Sequence, residues 1–169
     1  MRLTSSLFLK LAVRPALDLL PANMNTPEAA AMILAICLQE SKFQNRRQIG
    51  GPARGFAQFE IAGVIGVLQH QKTKHVIREV LELLRYDFKP ITSLAAIENN
   101  DVLCVVYSRL LLWTLPSSLV KPEDGFYVTT TEIRESWMQY LEAWRPGKPR
   151  YETWPSNYAK AWETTIETF

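Results

Sequence analysis

One stretch of the chain is apolar on every side of a predicted helix. It follows a start signal in which Thr26 is placed to cap the helix, Pro27 takes the first helical position and Glu28 lies near the positive end of the helix dipole. The residues that follow, 29–38, are all apolar. Because a helix that is apolar all round is buried on all sides, this pattern predicts a central core helix.

A second buried helix is predicted after Asn100 or Asp101, either of which can act as its cap. Apolar residues dominate from 102 to 113, and Pro116 stops the helix soon afterwards. Three other segments repeat apolar residues at intervals of three and four, which is typical of helices with one face on the core. They are residues 74–86, the stretch from the capping box Thr129 to Glu132 up to residue 144, and residues 158–166.

Residues 1–26 begin with a positive charge and a leucine-rich run, as a secretory signal does. Lys10 and Arg14 interrupt that run, so we expect an amphipathic helix and no signal peptide. Proline is tolerated best in the first turn of a helix. The segment is therefore expected to bend at Pro15 and to end at Pro21.

Between residues 45 and 63 the helical period is lost. Turn-forming residues concentrate there, namely Gly50, Gly51, Pro52 and Gly55. The predicted fold is therefore mainly α, with a short hairpin or irregular loop around residues 45–63. The same region is basic, with Lys42, Arg46, Arg47 and Arg54 and no acidic residue between 41 and 59. Such a run favours either an anionic ligand or a solvated loop without one.

Composition narrows the class of protein. With 169 residues, 47% apolar and 21% charged, the chain has the make-up of one globular domain, in which residues 1–26 pack on a domain of residues 27–169. A net charge of +2 is too small for a dedicated nucleic-acid-binding protein, and no apolar run is long enough for an integral membrane protein. Cys37 and Cys104 lie in apolar runs without ligand spacing, so both are expected to be core thiols. No metal and no cofactor is expected.

Glu40 is the candidate for chemistry. The residues three, four and seven positions before it are Cys37, Ile36 and Ile33, so its carboxyl group projects from an apolar stripe, and Phe43 could cover it. Desolvation disfavours the charged form of a carboxyl group and raises its pKa. A carboxylic acid held protonated near neutral pH is what the cleavage of a glycosidic bond requires. The alternative is a glutamate that extends into water at the end of its helix.

The motif around Glu40 resembles that of a known family. Glu40-Ser41-x-Phe43, followed by Ala53-x-Gly55-Phe56-Ala57-Gln58, is similar to the E-S-x-F and G-A-x-G-L-M-Q signature of lytic transglycosylases, relatives of goose-type lysozyme. The resemblance implies a lysozyme-like helical domain with Glu40 as general acid and then general base. The bond cleaved would be the β-1,4 bond from N-acetylmuramic acid to N-acetylglucosamine in peptidoglycan, and a 1,6-anhydro ring would close on the muramic acid.

The resemblance also implies a set of residues around the substrate. Gly55 would let the loop backbone approach a sugar or take a positive φ, and Gln58 would bond to sugar hydroxyl or acetamide groups. Ser41 and Phe56 belong to the same motifs, and Tyr107 lies at a tyrosine of the family's later helix.

Three positions of the chain bear on which side chain would hydrogen-bond Glu40. Trp144 stands where the family has a tyrosine that hydrogen-bonds the catalytic glutamate, and an indole cannot supply a hydroxyl group. Tyr140, one turn earlier, or Tyr107 could replace that tyrosine. Trp144 remains a candidate for contact with the substrate.

Three alternatives to a lytic transglycosylase remain open, and one of them, a helical adaptor or DNA-contacting packaging protein, is supported only by the basic loop. Glu60 could serve as a second carboxylate that activates water, which would make the protein a hydrolytic muramidase, or it could be a surface group paired with Arg54. The chain could also be a lysozyme-fold structural or glycan-binding protein without activity. The motifs look like those of small phage muramidases, which implies glycan strands and other virion proteins as partners. The implied location is the virion, or the host cytoplasm before delivery to the cell wall.

Overall fold

A computed structural model describes residues 2–169, and its secondary structure is mainly helical, as predicted. The α-helices of this part of the chain are α1 (Ser5–Phe8), α2 (Arg14–Asp18), α3 (Pro27–Glu40), α4 (Ile61–Gln69), α5 (Lys74–Leu84), α6 (Pro90–Asn99), α7 (Asp101–Trp113), α8 (Thr130–Trp144) and α9 (Trp154–Thr168). A π-helical turn, Leu9–Val13, joins α1 to α2, and 3₁₀ turns cover Ala22–Met24 and Tyr151–Thr153.

The centre of the molecule is formed by α3 and α7, the two helices predicted to be buried. Every residue of α3 from Ala29 to Gln39 is buried, and α3 packs along α9. The predicted caps are confirmed, since the Thr26 hydroxyl accepts a hydrogen bond from the Ala29 amide and the Asn100 side chain accepts one from the Leu103 amide. Beyond its first turn, the only residue of α3 that is accessible to solvent is the last one, Glu40.

The N-terminal segment packs against the same core. Its inward residues, Leu9, Ala12, Val13, Ala16 and Leu17, are buried, and α1, the π turn and α2 contact α7, α9 and α3 between them. The change from π to α geometry occurs at Arg14, one residue before Pro15, where a bend was predicted. Proline lies in the first turn of α2, where its missing N–H is least costly. The α2 helix ends at Asp18, ahead of Pro21.

The loop that precedes α4 is shorter than predicted. Among residues 2–169 it carries only isolated antiparallel bridges, Arg47 with Arg54 and Arg54 with Phe59, so it forms a compact irregular loop without a strand. The α4 helix already begins at Ile61, and the prediction of a loop as far as Gly63 is wrong there. The sequence also left α6 unpredicted, because a helix of ten residues carries too short an apolar pattern to be recognised.

The remaining expectations concern α8, the cysteines and membrane spans. The capping box at the start of α8 is confirmed, with bonds in both directions between Thr129 and Glu132. Cys37 and Cys104 are buried free thiols. None of the helices described for residues 2–169 is long and apolar enough to cross a membrane.

Candidate active site

A cleft of about 690 Å³ opens beside the C-terminal end of α3. Its lining comes from the end of α3, the loop before α4, one face of α4, the end of α7, and the end of α8 with the segment after it. The predicted site residues on this lining are Glu40, Gln58, Glu60, Tyr140 and Trp144. The other predicted site residues, Ser41, Gly55, Phe56 and Tyr107, do not form part of it.

Glu40 is partly buried at the edge of the cleft. Burial raises the pKa of its carboxyl group above the ordinary value for a glutamic acid, and the negative charge of Glu60 raises it further. The hydrogen bond from Tyr140 and the positive charge of Arg150 both act to lower the same pKa. Because the shift from burial is the largest, the net effect favours the protonated acid at a higher pH than in water.

Tyr140 is the direct partner of Glu40. Its hydroxyl group donates a hydrogen bond of 2.5 Å to Glu40 Oε1, which leaves Oε2 without a protein donor among the described residues. The Tyr140 ring is 2% exposed and stacks on the ring of Trp154, with centroids 4.9 Å apart. The aromatic packing therefore fixes the direction of the hydroxyl group, and Tyr140 takes the role for which the sequence offered either Tyr140 or Tyr107.

Trp144 supports the site by a different contact. Its indole Nε1 donates a hydrogen bond of 2.8 Å to the carbonyl oxygen of Ala57, and its ring lies against Phe59 with centroids 5.6 Å apart. Both contacts join the end of α8 to the loop before α4. Position 144 thus has no hydroxyl group to donate to Glu40, but its side chain connects the end of α8 to the loop before α4 across the cleft.

Ser41 and Phe56 hold the loop from inside the molecule. The Ser41 hydroxyl donates to the carbonyl oxygen of Phe56 at 2.8 Å and accepts a bond from the Phe43 amide at 3.2 Å. The Phe56 ring is buried against Phe8 and Phe43, with the Arg46 guanidinium 4.3 Å from its centroid. The structure therefore gives these two residues structural contacts behind the cleft and none with its interior.

Gly55 is required by packing and backbone conformation. Its φ is +74°, and a Cβ atom there would lie 2.8 Å from both the Cys104 Sγ and the Ile97 Cγ2 atoms. The positive φ was anticipated, but the close approach is to the core instead of to the cleft. Gln58 is the residue of this turn that lines the cleft, and its Nε2 donates to the Gly55 carbonyl oxygen at 2.9 Å.

Tyr107 and Glu60 have opposite environments. Tyr107 is completely buried and donates a hydrogen bond of 2.6 Å to the Ser93 hydroxyl, so it cannot serve as the partner of Glu40. Glu60 is exposed on the cleft lining, at the N-cap of α4. Arg54, its ion-pair partner in one of the two alternatives, instead pairs with Glu98 at 3.2 Å.

The basic loop is largely neutralised by acidic residues from other elements. Arg46 pairs with Asp101 at 2.8 Å, and Arg47 pairs with Glu98 at 3.1 Å. The hydrogen bonds from Arg47 lower the pKa of Glu98, which keeps that carboxylate charged. The predicted attraction of this loop for anions is therefore weakened, because three of its cations already have partners.

Two features of the cleft were missed by sequence analysis. Gln39, buried beside Glu40, donates to the carbonyl oxygen of Arg150 at 2.9 Å and accepts bonds from Thr153 and Asn157. The segment 145–150, anchored in this way, lines the cleft with basic side chains. The only sequence signal for Gln39 is that it is a polar residue in an otherwise apolar helix. Its hydrogen-bond partners lie more than 100 positions away, so no local pattern could predict them.

Within residues 2–169, no group of three or more histidine, cysteine, aspartate or glutamate side chains could hold a metal ion. Comparison with protein family models, with curated proteins and with solved structures finds no match to this chain. Its function is therefore inferred from the cleft and from the residues that line it.

Proposed function

We propose that the protein cleaves the glycan strands of peptidoglycan as a lytic transglycosylase, with Glu40 as general acid and base. The observation that carries this proposal is the placement of Glu40, a carboxyl group with a raised pKa that receives a hydrogen bond from Tyr140 at the edge of an open cleft. A general acid works best when its pKa lies near the working pH. Burial at the end of an apolar helix raises the pKa of Glu40, which moves it toward that condition.

The chemistry needs two proton transfers at the same residue. Protonated Glu40 gives its proton to the glycosidic oxygen, so the bond from muramic C1 to that oxygen breaks and the N-acetylglucosamine leaves with a 4-hydroxyl group. Glu40, now a carboxylate, takes the proton of the muramic 6-hydroxyl while that oxygen bonds to C1. The Tyr140 hydroxyl group stabilises the carboxylate between the two transfers, and no water is consumed.

Hydrolysis by the same cleft is the second candidate. Glu60 lines the cleft, is exposed and acts electrostatically on Glu40, so it could activate a water molecule on the far side of the sugar. The product would then carry a reducing end in place of an anhydro ring. The two reactions therefore differ in a property of the product that can be measured directly.

The test is digestion of purified murein by the parent chain and by Glu40→Gln, with products analysed by mass spectrometry. General acid catalysis contributes roughly 10²- to 10⁴-fold in rate, so Glu40→Gln should release no detectable fragments. Glu142→Gln, which alters another carboxylate on the cleft lining, is the matched control and should retain activity. Anhydro ends identify transglycosylation, whereas reducing ends that vanish in Glu60→Gln identify hydrolysis.

A glycan-binding protein without activity would give a different result. The parent chain would then bind insoluble murein and release no soluble fragments, and Glu40→Gln would bind equally well. The hydrogen bond from Tyr140 to Glu40 favours the enzyme, because the hydroxyl group that Trp144 lacks is supplied by a neighbouring turn of α8. Fragment release by Glu40→Gln at the parent rate would refute the proposed role of that residue.

A further inference from the structure

One side of the cleft carries positive charge that the proposed reaction does not use. Arg145, Lys148 and Arg150 lie within six residues of one another and all line the cleft. None of the three forms an ion pair with an acidic residue in the part of the chain that the structure describes. This contrasts with the basic loop before α4, whose arginines are paired.

The backbone of this segment is held in place. Arg145 ends α8 in the left-handed conformation with φ +49°, and its amide donates to the Leu141 carbonyl oxygen at 3.0 Å. At the other end, the buried Gln39 side chain binds the Arg150 carbonyl oxygen at 2.9 Å. The three cations therefore project from a segment fixed at both ends relative to Glu40.

Acidic and basic side chains both line the cleft, and some of them act on Glu40. The negative charge of Glu60 raises the pKa of Glu40, and the positive charge of Arg150 lowers it. Glu142 is the remaining carboxylate on the lining, and no ion pair joins it to a cation among residues 2–169. An anionic group that extends from a bound sugar toward residues 145–150 would meet positive charge at the place where the sugar is cleaved.

We infer that the segment 145–150 binds carboxylates that hang from the muramic acid residues of the strand, so that the cleft prefers carboxylate-bearing glycan to neutral glycan. This inference rests on the proposed function, since it names the substrate groups of the same cleft. The carboxylate has two sources, the stem peptide or the bare lactyl group of a stripped strand. Of the three cations, Arg150 also lowers the pKa of Glu40, so Arg145 and Lys148 are the two chosen for substitution.

The experiment measures binding without turnover, in chains that carry Glu40→Gln. Four soluble ligands of equal length are titrated by calorimetry: peptide-bearing strand fragments, the same fragments with their carboxylates amidated, fragments stripped of peptide by an amidase, and a neutral chitin oligomer. Binding is compared between the Glu40→Gln chain and the same chain with Arg145→Asn and Lys148→Gln. Asparagine tolerates the left-handed backbone at position 145.

A matched pair of substitutions controls for net charge. Arg85→Asn and Lys89→Gln remove the same two charges at exposed positions outside the cleft, and Arg85 also ends a helix in the left-handed conformation. Because Arg145 and Lys148 are exposed to solvent, removing both charges together should weaken binding of peptide-bearing fragments roughly 2- to 30-fold. The control pair should leave that affinity unchanged, and neither pair should alter affinity for the chitin oligomer.

The outcomes separate the carboxylate sources and the two proposals. Tighter binding of stripped than of peptide-bearing fragments assigns the lactyl carboxylate, weaker binding of stripped fragments assigns the stem peptide, and equal binding shows that the segment accepts either carboxylate. Equal affinity for all four ligands, or no binding of any, overturns the carboxylate preference. If the parent chain still cleaves murein in that case, the proposed function stands. A parent chain that cleaves nothing refutes the activity, whatever the binding results are.

Discussion

Replacing Tyr140 by phenylalanine removes one hydroxyl group from the site and leaves the packing around it in place. The ring stacks on Trp154 and is almost fully buried, so phenylalanine fills the same space. What is lost is the 2.5 Å hydrogen bond to Glu40 Oε1. Hydrogen bonds to charged groups contribute about 1.5–3 kcal/mol, and those between neutral groups about 0.5–1.5 kcal/mol.

These magnitudes predict a rate effect and a pH effect. The bond is also present while Glu40 is protonated, so only its strengthening by about 1–2 kcal/mol as the carboxylate forms counts, and Tyr140→Phe should lower kcat by about 5- to 30-fold. Since that bond also lowers the pKa of Glu40, the variant should raise this pKa further. The pH–activity profile of the variant should therefore move to higher pH.

The stability effect follows from the same pKa. Burial holds the pKa of Glu40 above that of an unfolded glutamate, so the folded chain binds this proton more tightly and stability declines as pH rises from the unfolded to the folded value. In Tyr140→Phe the decline should continue to higher pH. The loss of unfolding free energy relative to the parent should grow with pH, from about 1 kcal/mol toward about 3 kcal/mol.

The assay combines murein turnover from pH 4 to 9 with urea unfolding over the same range. Tyr107→Phe is the matched control, because that buried tyrosine donates to Ser93 and lies outside the cleft. It should lose stability by about 1 kcal/mol at every pH and keep the parent profile. A Tyr140→Phe variant with the parent rate and the parent pH profile would refute the assigned role of the hydroxyl group.

Two further predictions concern the loop beside Glu40. Gly55→Ala should destabilise the chain by about 2–5 kcal/mol in urea unfolding, because a Cβ atom at this positive φ would collide with Cys104 and Ile97. Gly50→Ala is the control, since Gly50 has a similar φ but open space around it, and it should cost only about 1–2 kcal/mol. Equal losses in the two variants would contradict the packing argument. Trp144→Phe removes the hydrogen bond to the Ala57 carbonyl oxygen and should cost about 1–3 kcal/mol of unfolding free energy together with a lower kcat on murein, whereas unchanged values of both would show that the loop is held without it.

Local signals in the sequence were sufficient for most of the helices. The caps at Thr26, Asn100 and Thr129 and the apolar run of α3 depend on residues a few positions apart, so they can be recognised without a fold. The short helices α4 and α6 were not predicted from the sequence. Their apolar residues do not form a long periodic stripe, and packing against α7 and against one another stabilises them.

The candidate site was only partly predictable for the same reason. Glu40 could be singled out because its apolar neighbours precede it on one helix. Gly55, Phe56, Ser41 and Tyr107 were associated with the substrate by motif, yet the structure places them outside the cleft lining, where they pack or bond within the protein. A sequence motif consists of residues that lie close together in the chain, whereas the fold determines which of their side chains face the cleft.

The sequence by itself determined that α3 is buried and that it ends in a carboxyl group, since both follow from apolar periodicity and capping within a few turns. Only the tertiary structure decided that Tyr140, 100 positions away, donates to Glu40 while Trp144 binds the loop. It likewise decided that Asp101 and Glu98 neutralise the basic loop. Such contacts depend on how helices distant in the chain pack together, and local periodicity carries no record of that arrangement.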